Sequence, residues 1–148
     1  MEKKYELTEE TLEINGHVLH RIMALRDFGE VKKGDLGGFI EKESNLAHDW
    51  NCWIYNDAVV RDDAMVCGEA RVYGKAVIKS KSDYIVFKNW WSSGRYFTWT
   101  RSNDMWSVGC FYGTGEELIK KAYADSEEKG REYERIVKYV ESIKSEIK

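Results

Sequence analysis

The chain has little of what usually marks an enzyme. Its 148 residues include only three cysteines and three histidines. No CxxC pair occurs, which removes both a zinc ribbon and a redox dithiol from the sequence-level readings. Cys52, Cys67 and Cys110 are odd in number and widely spaced, so buried reduced thiols are expected. GxSxG, HExxH, P-loop and GxGxxG patterns are all missing. No apolar run approaches the roughly 18 residues that span a bilayer, and the opening MEKKYELTEE lacks the apolar core of a signal peptide. A soluble, cytoplasmic protein with no membrane contact and no cofactor is the expectation.

An excess of positive charge is missing too. The net charge of −3 argues against a general nucleic-acid binder. The average conceals a patch. From Arg71 to Arg101 there are seven cations (Arg71, Lys75, Lys79, Lys81, Lys88, Arg95, Arg101) against one acid, Asp83. That window carries +6 and the remaining chain −9. It overlaps an aromatic-rich stretch in a chain with six tryptophans, which points to an anionic partner.

The clearest positive feature is a six-residue repeat. From Asn51 the chain reads NCWIYN, DAVVRD, DAMVCG, EARVYG, KAVIKS. The second position holds Cys52, Ala58, Ala64, Ala70 and Ala76; the fourth holds Ile54, Val60, Val66, Val72 and Ile78. Neither a helical nor an alternating-strand pattern keeps a six-residue phase. The spacing predicts a short parallel β-helix of three hexads, or about 18 residues, per coil, of the left-handed hexapeptide kind. The aliphatic residue stacks inward, the small residue fits the bend, and Gly, Asn or Asp takes the corner. So few coils leave large open ends to be capped.

Ahead of the repeat, TLEINGHVLHRIMAL predicts a hairpin around a type I′ Asn15–Gly16 turn. The following RDFGEVKKGDLGGFIEKES is a glycine-punctuated connector. After Ser80 the period changes to two. Tyr84–Lys88, Arg95–Arg101 and Met105–Tyr112 predict a three-stranded antiparallel sheet. A capping box, Thr114 with Glu117, opens one helix, and a second runs from about Arg131 with Tyr133, Ile136, Val137, Val140, Ile143 and Ile147 along one face. That capping role also explains GTGEEL, where Glu116 and Glu117 would repel a phosphate. The expected fold is α+β and mostly β: hairpin and β-helix over 1–82, and a β-β-β-α-α unit over 83–148.

For chemistry, the aromatic stretch NWWSSGRYFTWTR supplies the main candidates. Arg95, Phe97, Trp99 and Arg101 share one strand face by alternation, and two rings between two guanidinium groups suit a planar anion. Trp90, Trp91 and Ser92 sit in the preceding turn, and Lys88 and Arg71 add charge. The bland alternative is that Phe97 and Trp99 are core. Hexapeptide coils are also the usual scaffold of acyltransferases with a histidine base; here that candidate is His48, beside Asp49.

The stretch HRIMALRDFGEVKKGDLGGFIEKESNLAHDWNCWIYNDAVV, leading into hexads, resembles the hexapeptide-repeat β-helix proteins of phages and prophages, often labelled polymer-forming or transferase-like without demonstrated activity. DYIVFKNWWSSGRYFTWTRSNDMWSVGCFYGTGEELIKKAYADS is similar to the C-terminal unit attached to many of them. The more specific motifs are GDLGGFIEKESNL and VGCFYGTGEEL. The resemblance implies the fold and a phage setting inside a host bacterium, and brings no catalytic residues. Together these readings predict a non-enzymatic accessory protein, with a possible anti-defence role, that binds or sequesters a small nucleotide-like anion or a host protein. It is expected to form a homo-oligomer, trimer or dimer, because a short β-helix leaves apolar walls. The alternatives are an acyltransferase using His48 and a purely structural oligomerisation unit.

Overall fold

A computed structural model describes residues 2–91 and 94–147. The chain opens as a hairpin, β1 (Tyr5–Ile14) against β2 (His17–Ala24), with Ile14 opposite His17. Asn15 at φ 50° and Gly16 at φ 84° make the turn, the two positive values that a type I′ geometry requires. The first strand is longer than the sequence suggested, reaching back to Tyr5 across an irregularity between Leu7 and Thr11.

The hexads form very short strands whose parallel partners lie 18 residues on. β4 (Trp53–Ile54) pairs with β6 (Arg71–Val72), and β5 (Val59–Val60) with β7 (Val77–Ile78). β3 (Leu36–Ile40) joins upstream with a 20-residue offset, Phe39 to Val59 and Ile40 to Val60, and a Leu46–Val66 bridge repeats that offset. The glycine-rich connector is therefore part of the ladder. Gly38 is tied to that role, because a Cβ there would lie 2.6 Å from the Ile54 side chain and run into the Ala58 carbonyl. The five aliphatic residues of the fourth hexad position are all completely buried. Each contributes about 1.5–3 kcal/mol relative to exposure. Asn56, Asp62, Gly68 and Gly74 turn the corners at φ 55–70°. The hairpin extends the same sheet in the order β1-β2-β3-β5-β7.

The second unit has four antiparallel strands, not three. They are β8 (Tyr84–Lys88), β9 (Tyr96–Thr100), β10 (Met105–Val108) and β11 (Phe111–Gly113), ordered β11-β10-β9-β8. The expected third strand breaks at Gly109, whose φ of 56° turns the chain back on itself. α1 (Gly115–Asp125) starts at the expected capping box, with Thr114 accepting the Glu117 N–H and Glu117 accepting the Thr114 N–H. α2 (Glu127–Ile143) starts earlier than expected, because Ser126 caps it by accepting from Lys129 N–H.

The sheet is covered on both faces. Phe97, Trp99, Trp106 and Val108 pack under the helices with Leu118, Ala122, Tyr133, Val137 and Val140. Thr98 and Thr100, one residue out of phase, are buried on the opposite face. There Thr98 Oγ1 accepts the Arg71 N–H at 3.0 Å, and Ser102 Oγ accepts the Val77 N–H at 2.8 Å. Side-chain hydroxyls thus satisfy strand N–H groups of β6 and β7, and the sheet closes that end of the repeat. β8 serves both interiors: Tyr84 and Val86 pack on the repeat, Ile85 and Phe87 under the helices.

The cysteine expectation needs correction, because only Cys52 is buried while Cys67 and Cys110 are exposed. Cys52 touches a completely buried lysine. Lys4 Nζ donates to the Cys52 carbonyl at 2.7 Å, approaches Cys52 Sγ at 3.4 Å, and lies 4.7 Å from the centre of the Phe28 ring. Burial pushes the Lys4 amine below its ordinary value of 10.5, an effect only partly offset by Cys52. The unfolded chain therefore holds that proton more tightly. The Lys4 contribution to stability rises as pH climbs from the depressed native value to 10.5. Urea midpoints of the native chain and Lys4→Met, compared from about pH 8 upward, should diverge in favour of the native chain. A pH-independent difference would contradict this.

Candidate functional site

Two hollows adjoin where the repeat meets the second unit. One, of about 440 Å³, is lined by Glu30, Glu69, Arg71, Arg95, Tyr96, Gly109 and Cys110. The other, of about 460 Å³ and mostly apolar, is lined by Trp50, Cys67, Gly68, Glu69, Tyr84, Val86 and Tyr96. They share Glu69 and Tyr96 and so lie side by side; the pair is called the junction groove, with a charged end and an aromatic end.

Local structure explains how each end is built. Arg71 lies on β6, where the aliphatic Val72 turns inward and leaves Arg71 at the surface. Its guanidinium is 3.8 Å from Glu30 Oε2, a loose pair that leaves donor capacity unused. Arg95 is exposed just before β9, and Tyr96 begins that strand with its ring half out. Tyr84 donates to the Met65 carbonyl at 2.9 Å, and burial pushes its phenol well above the ordinary value, so the ring is neutral. Trp50 occupies the sixth hexad position, which later hexads give to Asn, Asp, Gly or Ser. It has φ 60° and is 66% exposed. Left-handed backbone under a bulky aromatic is strained by about 1–3 kcal/mol, and such strain gathers at functional positions.

The arrangement can bind a molecule with mixed character. Indole and phenol faces stack a planar ring. Arg71 and Arg95 take phosphate or carboxylate oxygens. Glu30 and Glu69 accept hydroxyl donors, as carboxylates do from a ribose. With two guanidinium groups and two carboxylates, this end is charge-balanced rather than a bare cationic patch.

The structure brings together only part of the sequence-derived set. Arg71 and Arg95 line the groove. Phe97 and Trp99 do not: at 0% and 1% exposure under the helices they can stack on no ligand, so their assignment as binding residues is corrected to core. Arg101 is committed elsewhere, donating to the Ile147 carbonyl at 2.8 Å and pairing with Asp83 at 3.5 Å. Trp91 is half-buried against Tyr133, whereas Trp90 is 77% exposed. Neither these indoles nor Lys88 line the groove. Ser92 lies outside the described residues. Trp50, Tyr84, Tyr96, Glu30 and Glu69 were missed. Only Trp50 left a signal, as a tryptophan at a corner position.

His48 is not placed as a general base. Its ring stacks on Tyr5 with centroids 4.2 Å apart. Nδ1 accepts the Lys4 backbone N–H at 3.0 Å, so Nε2 carries the proton and faces Glu43 Oε1 at 3.1 Å. Both nitrogens are engaged, and the acid is Glu43, not Asp49.

No family model matches the chain. It is similar to an Escherichia coli (strain K12) protein named an uncharacterized acetyltransferase, YdcK, with 34% identity over 85 residues. The match takes in 51% of this chain and 26% of that protein, so the chain spans about a quarter of that relative's length. Among the described residues no helix is long and apolar enough to cross a membrane.

Proposed function

We propose that this chain binds a small anionic, nucleotide-like molecule in the junction groove and holds it without converting it. The supporting observation is the groove itself: Arg71 and Arg95 with Glu30 and Glu69 at one end, and Trp50, Tyr84 and Tyr96 at the other. The repeat is read as a short left-handed hexapeptide coil serving as a platform for that groove. Sequestering a nucleotide signal of host defence, the role that the phage-type resemblance suggests, is one use of such a pocket.

Acyl transfer is the second reading, and the similarity to an acetyltransferase-named protein favours it. Against it stands His48, with neither nitrogen free to take a proton. Calorimetric titration with cyclic nucleotides, ADP-ribose and acetyl-coenzyme A separates the two. A nucleotide should bind saturably, and Arg95→Ala or Arg71→Ala should weaken it at least ~10-fold, the loss of one charge-assisted hydrogen bond. Acetyl-coenzyme A turnover abolished by His48→Ala would establish the second reading instead. A chain that binds none of the panel would be neither.

A further inference from the structure

We infer that His17, Glu41 and Asp62 form a binding site for a divalent transition-metal ion, clamping the N-terminal hairpin to the repeat. The three residues come from separate segments. His17 opens β2 just after the type I′ turn, Glu41 follows β3, and Asp62 stands in the corner after β5. Their ligand atoms lie within 4.8 Å of one another, and all three side chains are partly buried. His17 Nδ1 is 2.8 Å from Glu41 Oε2 and 3.9 Å from Asp62 Oδ1. Ligands bonded at about 2.0–2.2 Å to one ion stand about 3.0–3.6 Å apart, between those two distances. Small side-chain shifts close the set.

The carboxylate is already aimed. Glu41 Oε1 accepts the Asp62 N–H at 2.7 Å, which leaves Oε2 directed at the imidazole. The imidazole at 2.8 Å and that backbone N–H thus hold one Glu41 oxygen each. Arg61 Nη1 lies 3.2 Å from Asp62 Oδ1 and competes for that oxygen, which limits affinity.

The donor chemistry selects the ion. One imidazole nitrogen with two carboxylates and no thiolate suits zinc or manganese(II); calcium takes six to eight oxygens, and copper(I) takes sulfur. Three protein ligands leave positions for water. Loading requires the Nδ1 lone pair, so the ion displaces the Nδ1–H···Oε2 hydrogen bond and the imidazole must be neutral.

The test uses the full chain after EDTA treatment, titrated with zinc chloride, manganese(II) chloride and, as control, magnesium chloride. Both Cys67→Ser and Cys110→Ser are introduced so that exposed thiols take no zinc. Zinc or manganese should bind at one ion per chain and raise the melting temperature. His17→Ala and Asp62→Asn should each weaken binding at least ~10-fold while the metal-free melting temperature stays close to that of the parent. Absence of binding by both ions in the parent chain overturns the site and leaves His17–Glu41 as a hydrogen-bonded pair. Binding that survives both variants overturns it equally.

Discussion

Trp99→Ala should cost about 3–5 kcal/mol of folding free energy, the usual penalty for removing a fully buried indole. Trp99 is at the centre of β9, 1% exposed beneath the two helices. Its Nε1–H donates to Asp104 Oδ1 at 2.8 Å, and Asp104 also receives Lys144 at 2.8 Å. Burial works against ionisation of Asp104, yet Lys144 and the indole N–H outweigh it and hold the carboxyl below its ordinary value. Truncation would leave a cavity and remove one of the donors on the Asp104 carboxylate. In a chain of this size the melting temperature should drop by roughly 10 °C, with the loss visible in urea unfolding followed by circular dichroism. A variant within about 1 kcal/mol of the native chain would mean that the helices do not cover this face. Weak ligand binding by Trp99→Ala would therefore report damaged folding rather than a lost contact.

Trp50→Asn should have the opposite profile. The side chain is mostly in solvent, so little packing is lost, and asparagine accepts φ near +60° more readily than an aromatic does. Stability should hold or rise by up to about 1 kcal/mol. Nucleotide affinity should nonetheless fall roughly 10-fold or more, the worth of one stacked ring. Urea unfolding and calorimetric titration on the same preparation read both quantities. Native affinity in this variant would remove the aromatic end of the groove from the binding site, and a large loss of stability would show that the indole is structural.

Much of the framework was readable because it rests on local chemistry. The positions of Ala58, Ala64, Ala70 and Ala76 and of Val60, Val66 and Val72 mark the inward residues of each hexad. Asn15–Gly16 and Thr114 with Glu117 specify a turn and a cap through contacts within a few residues. The face of β9 was not readable. Alternation groups Phe97 with Trp99, and Thr98 with Thr100, but does not say which group meets helices and which meets the repeat; here both are covered. The split of the third strand at Gly109 depends on one backbone angle. The groove draws on residues as far apart as Glu30 and Cys110, a convergence created only by the tertiary fold.

The docking of the sheet onto the repeat sets a rule for how such a chain can change length. Thr98 and Ser102 meet the N–H groups of Arg71 and Val77, which belong to two different ladders of the same turn. Adding one hexad upstream of Glu69 would leave Glu69, Arg71 and Val77 in place against the sheet but carry Glu30 and the hairpin onto a different wall. Adding three would return Glu30 and the hairpin to their own wall, one storey further from the sheet. If the hexads coil as their spacing suggests, length changes that keep the hairpin on its wall come in steps of about 18 residues.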